Sequence, residues 1–137
     1  MEIADALGYV RDHHRAVLAT TSPSGRIQLT PVAVAVDASG TVLLSTRETA
    51  VKTANLRRSG RASLLVMNEA FFGEYVQLEG QATVVSLPDA IDGLIEYYRL
   101  ASGREHPDWA EYTTAMVAER RVLVRIAVDY AGPNVAG

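Results

Sequence analysis

Apolar and polar residues alternate with a period of two over most of this chain and change to helical spacing in four places. Ile3, Ala6, Leu7 and Val10 form one stripe and predict a helix from Glu2 to about Arg11. A short helix opens near Ala50 and stops at Ser59-Gly60, glycine being the usual left-handed terminator. Pro88 begins a third, with Ile91, Leu94, Ile95 and Tyr98 on one side, ending near Gly103. Pro107 starts a fourth that carries Trp109, Tyr112 and Met116 at core spacing. Strands are expected over Ala16 to Thr21, Ile27 to Val36, Thr41 to Ser45, Arg61 to Met67, Tyr75 to Ser86 and Arg121 to Tyr130, with a loose tail from Ala131 to Gly137.

Details within the strands matter for function. In Ile27 to Val36 one face carries Gln28, Thr30, Val32, Val34 and Val36, and the other Ile27, Leu29, Pro31, Ala33 and Ala35. Apolar residues on both faces of its second half suggest burial on both sides, as in a closed barrel. Pro31 cannot donate to a ladder, so this strand is an edge or is broken there, leaving backbone groups free for a ligand. Gly80 interrupts the apolar side of its strand and predicts a bulge or a close backbone approach. Ser22-Pro23-Ser24-Gly25 and Asp37-Ala38-Ser39-Gly40 read as turns. Phe71 and Phe72 fall in a loop from Asn68 to Glu74, where aromatic pairs serve a core edge or an interface. Short antiparallel strands with helices set between them suggest a small barrel.

Totals narrow the class. A length of 137 residues fits one domain spanning 1–137, and 48% hydrophobic with 21% charged residues is ordinary for a soluble globular protein. The absence of cysteine excludes disulfides, thiolate metal sites and a cysteine nucleophile, and fits a cytoplasmic protein. No apolar run approaches the roughly 20 residues of a membrane span, and the N-terminus does not read as a signal peptide. A formal charge of −3 argues against broad nucleic-acid binding. His13, His14 and His106 are read as structural, since no further ligands for a metal gather near them.

Against that acidic background, Ser45 to Arg61 is positive. Ser45, Thr46 and Thr49 lead into the helix that opens near Ala50. Lys52, the only lysine of the chain, lies in its first turn, and Arg47, Arg57, Arg58 and Arg61 add charge opposed by Glu48 alone. A helix N-terminus offers unpaired N–H groups and a partial positive charge, so the window reads either as a solvated basic helix or as a phosphate cradle for a cofactor. It lacks the glycine pattern of a P-loop.

Three stretches carry a resemblance: Gly25 to Val32, Lys52 to Arg58 running into Arg61 to Val66, and His106 to Tyr112 continuing through Ala115 to Val117 and Arg120 to Leu123. Through them the chain resembles the flavin- and deazaflavin-binding split β-barrel proteins, the pyridoxamine-phosphate oxidase superfamily. Within it the chain is similar to the actinobacterial branch that uses coenzyme F-420, a deazaflavin hydride carrier. The likeness covers nearly the whole chain. It implies a six- to seven-stranded antiparallel split β-barrel with helices, assembled as a homodimer with cofactor at the subunit interface. It implies that Lys52 binds the cofactor phosphate, that Gln28, Thr30, Pro31 and Val32 lie along the tricyclic ring, and that Ser45 and Thr46 sit beside the phosphate. Relatives often carry an arginine where this chain has Ala50, and Arg47 is the candidate replacement. Ser59-Gly60 replaces a common Asp-Pro pair.

The activity implied is reduction of a small conjugated or aromatic substrate by F-420, with no catalytic acid assigned. An FMN enzyme of the oxidase type is the alternative, though the chain lacks the Arg- and His-bearing C-terminal segment of those oxidases. A non-catalytic carrier of flavin, haem or tetrapyrrole is the other.

Overall fold

A computed structural model describes residues 1–133. The described residues form helix α1 (Ile3–Asp12), strands β1 (Arg15–Thr21), β2 (Ile27–Ala33), β3 (Ala35–Val36) and β4 (Val42–Arg47), helix α2 (Val51–Ser59), strands β5 (Arg61–Met67) and β6 (Tyr75–Val85), helices α3 (Ile91–Ser102) and α4 (Trp109–Ala118), and strand β7 (Arg121–Ala131). The strands make one antiparallel sheet in the order β2-β1-β5-β6-β7-β4-β3. Its two edges, β2 and β3, are consecutive in the chain and separated by Val34 alone. The sheet therefore curls until its edges meet, as the split barrel requires.

Beside this seam, Val34 is tied to the start of β1 by a reciprocal clasp. Val34 N–H donates to the His14 carbonyl at 2.8 Å, and His14 Nδ1–H donates to the Val34 carbonyl at 2.8 Å. The long predicted strand thus breaks at Val34 and not at Pro31: Val34 is the last residue bonded in the β1 register, and from Ala35 the chain pairs with β4 instead. Pro31 keeps register with Val17 in an edge strand, where a missing N–H is tolerated. Burial on both faces of the second half of this strand holds from Val34 through Ala35 to Val36, while Ala33 just before the break faces outward, as do Leu29 and Pro31 of the first half.

Alternation explains the two cores. Leu18, Val42, Leu44, Leu64, Leu78, Val124 and Ile126 point into the barrel, whose end is closed by Ala6, Leu7 and Val10 of α1. The other face of β4 and β7 buries Leu43 and Leu123 beneath Ala90, Leu94 and Tyr112 of the α3–α4 layer. In that layer Tyr98, His106, Trp109 and Tyr112 pack ring against ring, at centroid distances of 5.1–5.6 Å. His106 Nδ1 accepts the Asp108 N–H at 2.9 Å, so this histidine serves structure. Pro88 and Pro107 lie in the turns just before their helices.

Gly80 fulfils both halves of its expectation. The β6–β7 register slips between Glu79 and Gly80, and a Cβ at Gly80 would lie 2.3 Å from the Ala127 carbonyl oxygen. At the far end, Ala131 is buried in β7 and Gly132 N–H donates to Gln77 O at 2.9 Å, so the expected tail does not begin at Ala131. The rest of that expectation, 134–137, lies outside the described residues.

Candidate functional site

β4 runs two residues past its predicted end, taking Thr46 and Arg47 into the sheet opposite Val122 and Arg121. Its junction with α2 is braced from behind. Thr53, buried in the first turn of α2, donates its hydroxyl to the Arg47 carbonyl at 2.6 Å and lies 3.4 Å from Thr46 Oγ1. The Thr46 side chain is itself buried, so it supports the loop from the inside and presents nothing to solvent. Ser45 and Arg47 alternate to the other side of the strand, the side that carries Leu43. Ser45 is half-buried, and the exposed Arg47 guanidinium reaches Glu119 at 3.5 Å.

The front of α2 is open. Ala50 occupies the N-cap position without a side-chain cap, and the first turn holds no acid. The amides of Val51 and Lys52 lie too early in the helix for an i−4 partner, so the positive end of the helix has no side-chain anion against it. The surrounding arginines are committed elsewhere. Arg57 Nη2 bonds both Glu48 carboxylate oxygens at 2.9 Å and Ser86 Oγ at 2.7 Å. Arg58 donates to Asn55 Oδ1 at 3.2 Å and to the Thr21 carbonyl. Arg61 Nη2 bonds Asp129 at 3.0 Å. Lys52, half-buried at the helix mouth, is the cation of this stretch with no hydrogen-bond or ion-pair partner among the described residues. Thr49 and Val51 beside it are exposed, so a ligand has access. An ammonium, two free amides and an uncapped helix dipole form a donor set that fits a phosphate.

Asn55 ties this mouth to β2. Its side chain is 1% exposed, and its Nδ2 donates to Thr20 Oγ1 at 3.1 Å and to Gln28 Oε1 at 3.3 Å. Lys52 and Asn55 are three residues apart and share a helix face. On β2, Gln28, Thr30 and Val32 alternate to the half-buried side, while Pro31 faces out with Ile27 and Leu29. Gln28 spends its carbonyl oxygen on Asn55 and Thr20, leaving its amide hydrogens uncommitted within the described residues. Thr30 Oγ1 is buried and has no partner there. Tyr97 of α3 donates to the Ala33 carbonyl at 2.9 Å, pinning the end of the strand, and burial raises its pKa and keeps it a donor.

Sequence reasoning passed over Thr20, Thr53 and Asn55. A signal was present: α2 has Leu56 as its one large apolar residue to bury, so docking it must bury polar neighbours, and Thr53 and Asn55 flank Leu56. Beside the site, Glu48, Ser86, Leu87, Arg120, Arg121 and Val122 line a cleft of about 240 Å³, which Lys52 does not reach. The outer face of the sheet carries two shallow, mainly apolar clefts of about 380 and 410 Å³, one against Leu29 and Leu65, the other against Pro31 and Met67.

Residues 4–132 match the family model described as pyridoxamine 5'-phosphate oxidase. Solved structures share the fold. A conserved hypothetical protein of Mycobacterium tuberculosis is 28% identical with a TM-score of 0.76, over 96% of this chain and 82% of that one. A protein named F420 reductase is 18% identical with a TM-score of 0.63, over 87% and 89% of the two chains. A pyridoxamine 5'-phosphate oxidase-related, FMN-binding protein of Nostoc punctiforme is 17% identical with a TM-score of 0.65, over 94% and 79%.

Proposed function

Because the chain belongs to the pyridoxamine 5'-phosphate oxidase family, we propose that it is an oxidoreductase that binds coenzyme F-420 and passes a hydride between it and a small conjugated or aromatic compound. The observation that carries this reading is the uncommitted Lys52 ammonium at an uncapped helix mouth, fixed through Asn55 to the strand of Gln28 and Thr30. In this reading Lys52 and the Val51 and Lys52 amides hold the phosphate. Ser45 and Arg47 flank it, Arg47 exchanging Glu119 for the anion. Thr46 acts through Thr53, as a brace.

When bound, a deazaflavin supplies the two-electron chemistry, so the protein's task is to bind, orient and exclude water. The Gln28 amide hydrogens are the uncommitted donors that β2 offers to a flat heterocycle, with the buried Thr30 hydroxyl behind them on the same face. Pro31 and Val32 shape the strand beside it, and Tyr97 holds its far end. None of the described side chains is assigned as proton donor.

The chain works as a homodimer that buries the outer face of β2, β1, β5 and β6. Support comes from the exposed Ile27, Leu29 and Leu65 on that face and its two apolar clefts.

FMN is the second cofactor reading, supported by the family and by the FMN-binding relative named above. Titration separates the two. Purified protein should shift or quench F-420 fluorescence at micromolar concentration and leave FMN fluorescence unchanged. The opposite selectivity would replace F-420 with FMN, and no response to either would remove the redox reading.

A further inference from the structure

The end of β4 is tied to the turn between α4 and β7 in three ways. Arg47 pairs with Arg121 in the sheet, Glu48 N–H donates to the Arg120 carbonyl at 2.8 Å, and the Arg47 guanidinium lies 3.5 Å from Glu119 Oε1. Arg120 takes φ 54°, the left-handed conformation in which glycine usually follows a helix, and it is costly for a residue with a side chain. This strained turn sets the Arg120 carbonyl against Glu48 and Glu119 against Arg47.

Arg47 is rooted beneath the candidate phosphate mouth. Its carbonyl accepts the Ala50 N–H at 3.1 Å and the Thr53 hydroxyl at 2.6 Å, at the N-cap and in the first turn of α2. Its guanidinium therefore starts within one side chain's length of the Val51 and Lys52 amides. By leaving Glu119 it can bring a second cation to them. Glu119 is not bared by that exchange, because its Oε1 also receives Arg121 Nε at 3.0 Å and Nη2 at 2.9 Å. Two arginines share one carboxylate oxygen, and that acid decides how much of Arg47 the mouth has.

We propose that Glu119 is a specificity-determining residue: by holding Arg47 back, it tunes the mouth to a singly charged phosphodiester in preference to a phosphomonoester. This rests on the cofactor reading above and adds the charge of the group that is bound. With Arg47 on Glu119, Lys52 is the cation of the mouth without an acid partner among the described residues. One cation suits the single charge of a phosphodiester, the form in which F-420 carries its phosphate. A phosphomonoester such as FMN brings nearly two charges at neutral pH and finds its second cation already paired. The Arg47–Glu119 pair is partly exposed, so the effect is a few-fold change and not an absolute block.

Titration of F-420 into the intact chain, E119Q, R47A and R47A/E119Q tests it, with FMN measured as the competitor that displaces F-420. Glutamine keeps the shape and an acceptor oxygen and drops the charge. E119Q should bind F-420 about two- to fivefold more tightly, and FMN by a larger factor, so that the preference for F-420 narrows. In the R47A background the same change should gain nothing, because no arginine is there to release. A gain that persists in R47A overturns the proposal, since it reports only the loss of a nearby negative charge. An E119Q constant equal to that of the intact chain, or equal factors for the two cofactors, also overturns it. Those results leave the cofactor reading standing, whereas a chain that binds neither F-420 nor FMN removes that reading and the role of Glu119 with it. Should E119Q fail to fold, E119D keeps the charge and draws it back from Arg47 by one methylene. It should tighten F-420 binding in the same sense, and an unchanged constant counts against the proposal.

Discussion

Asn55 Nδ2 lies 3.3 Å from Gln28 Oε1, so one buried amide joins the helix that carries Lys52 to the strand that carries Thr30. The same nitrogen reaches Thr20 Oγ1, and the carbonyl oxygen receives Arg58. The spacing between the phosphate mouth and the ring strand is therefore set by a side chain that itself meets no ligand.

Asn55→Ala should cost about 2–3 kcal/mol in urea unfolding, because buried polar groups on Thr20 and Gln28 lose their donor. It should also weaken cofactor binding, although the residue is shielded from solvent. Unfolding midpoints and cofactor titration on the same preparation check both expectations.

Gly80→Ala tests the bulge. Its Cβ would sit 2.3 Å from the Ala127 carbonyl oxygen, a backbone atom that cannot swing aside. Strand displacement should cost about 1–3 kcal/mol, as for an overpacked core. The midpoint of thermal or urea unfolding is the readout.

Tyr112 supplies a pH signature. Burial is the largest influence on its phenol, which is pushed up to about 12, and its hydroxyl donates to the Leu94 carbonyl at 2.9 Å. The unfolded phenol titrates near 10, so above that pH the unfolded chain releases a proton that the folded chain retains. This contribution is whole below pH 10 and declines as pH rises toward 12. Tyr112→Phe should lose about 0.5–1.5 kcal/mol at neutral pH and show a shallower decline between pH 10 and 12. Urea unfolding across that range measures it.

Arg47→Ala should change stability by less than about 1 kcal/mol, since its partner Glu119 and Arg47 itself are solvent-exposed or nearly so. It should weaken cofactor binding less than removal of the Lys52 amine, because Arg47 must first leave Glu119. Equal losses from the two variants would make Arg47 a full replacement for the arginine that the resemblance implies at the Ala50 position.

Much of the fold was legible because alternation and helical stripes state their own geometry. The α1 stripe, the Gly80 bulge and the edge position of Pro31 all follow from local chemistry. The break at Val34 was not legible, because it marks the change of partner from β1 to β4, which only the folded sheet reveals. Burial of Thr46 escaped for a similar reason: a hydroxyl next to Arg47 reads as loop until strand pairing with Val122 turns it inward. In the site, the lysine and the helix mouth could be read from composition and spacing. Thr53 and Asn55 carried only the indirect signal of flanking Leu56, and Thr20 carried none, since a buried polar residue looks like a surface one until its partners are in place.

The central claim is that Lys52 grips the cofactor's phosphate. Equilibrium titration of the intact protein and of Lys52→Ala with F-420 tests it most directly. Loss of one charge-assisted bond, about 1.5–3 kcal/mol, should raise the dissociation constant by about tenfold to a hundredfold with the circular dichroism unchanged. A dissociation constant that stays the same in the folded variant would contradict the account.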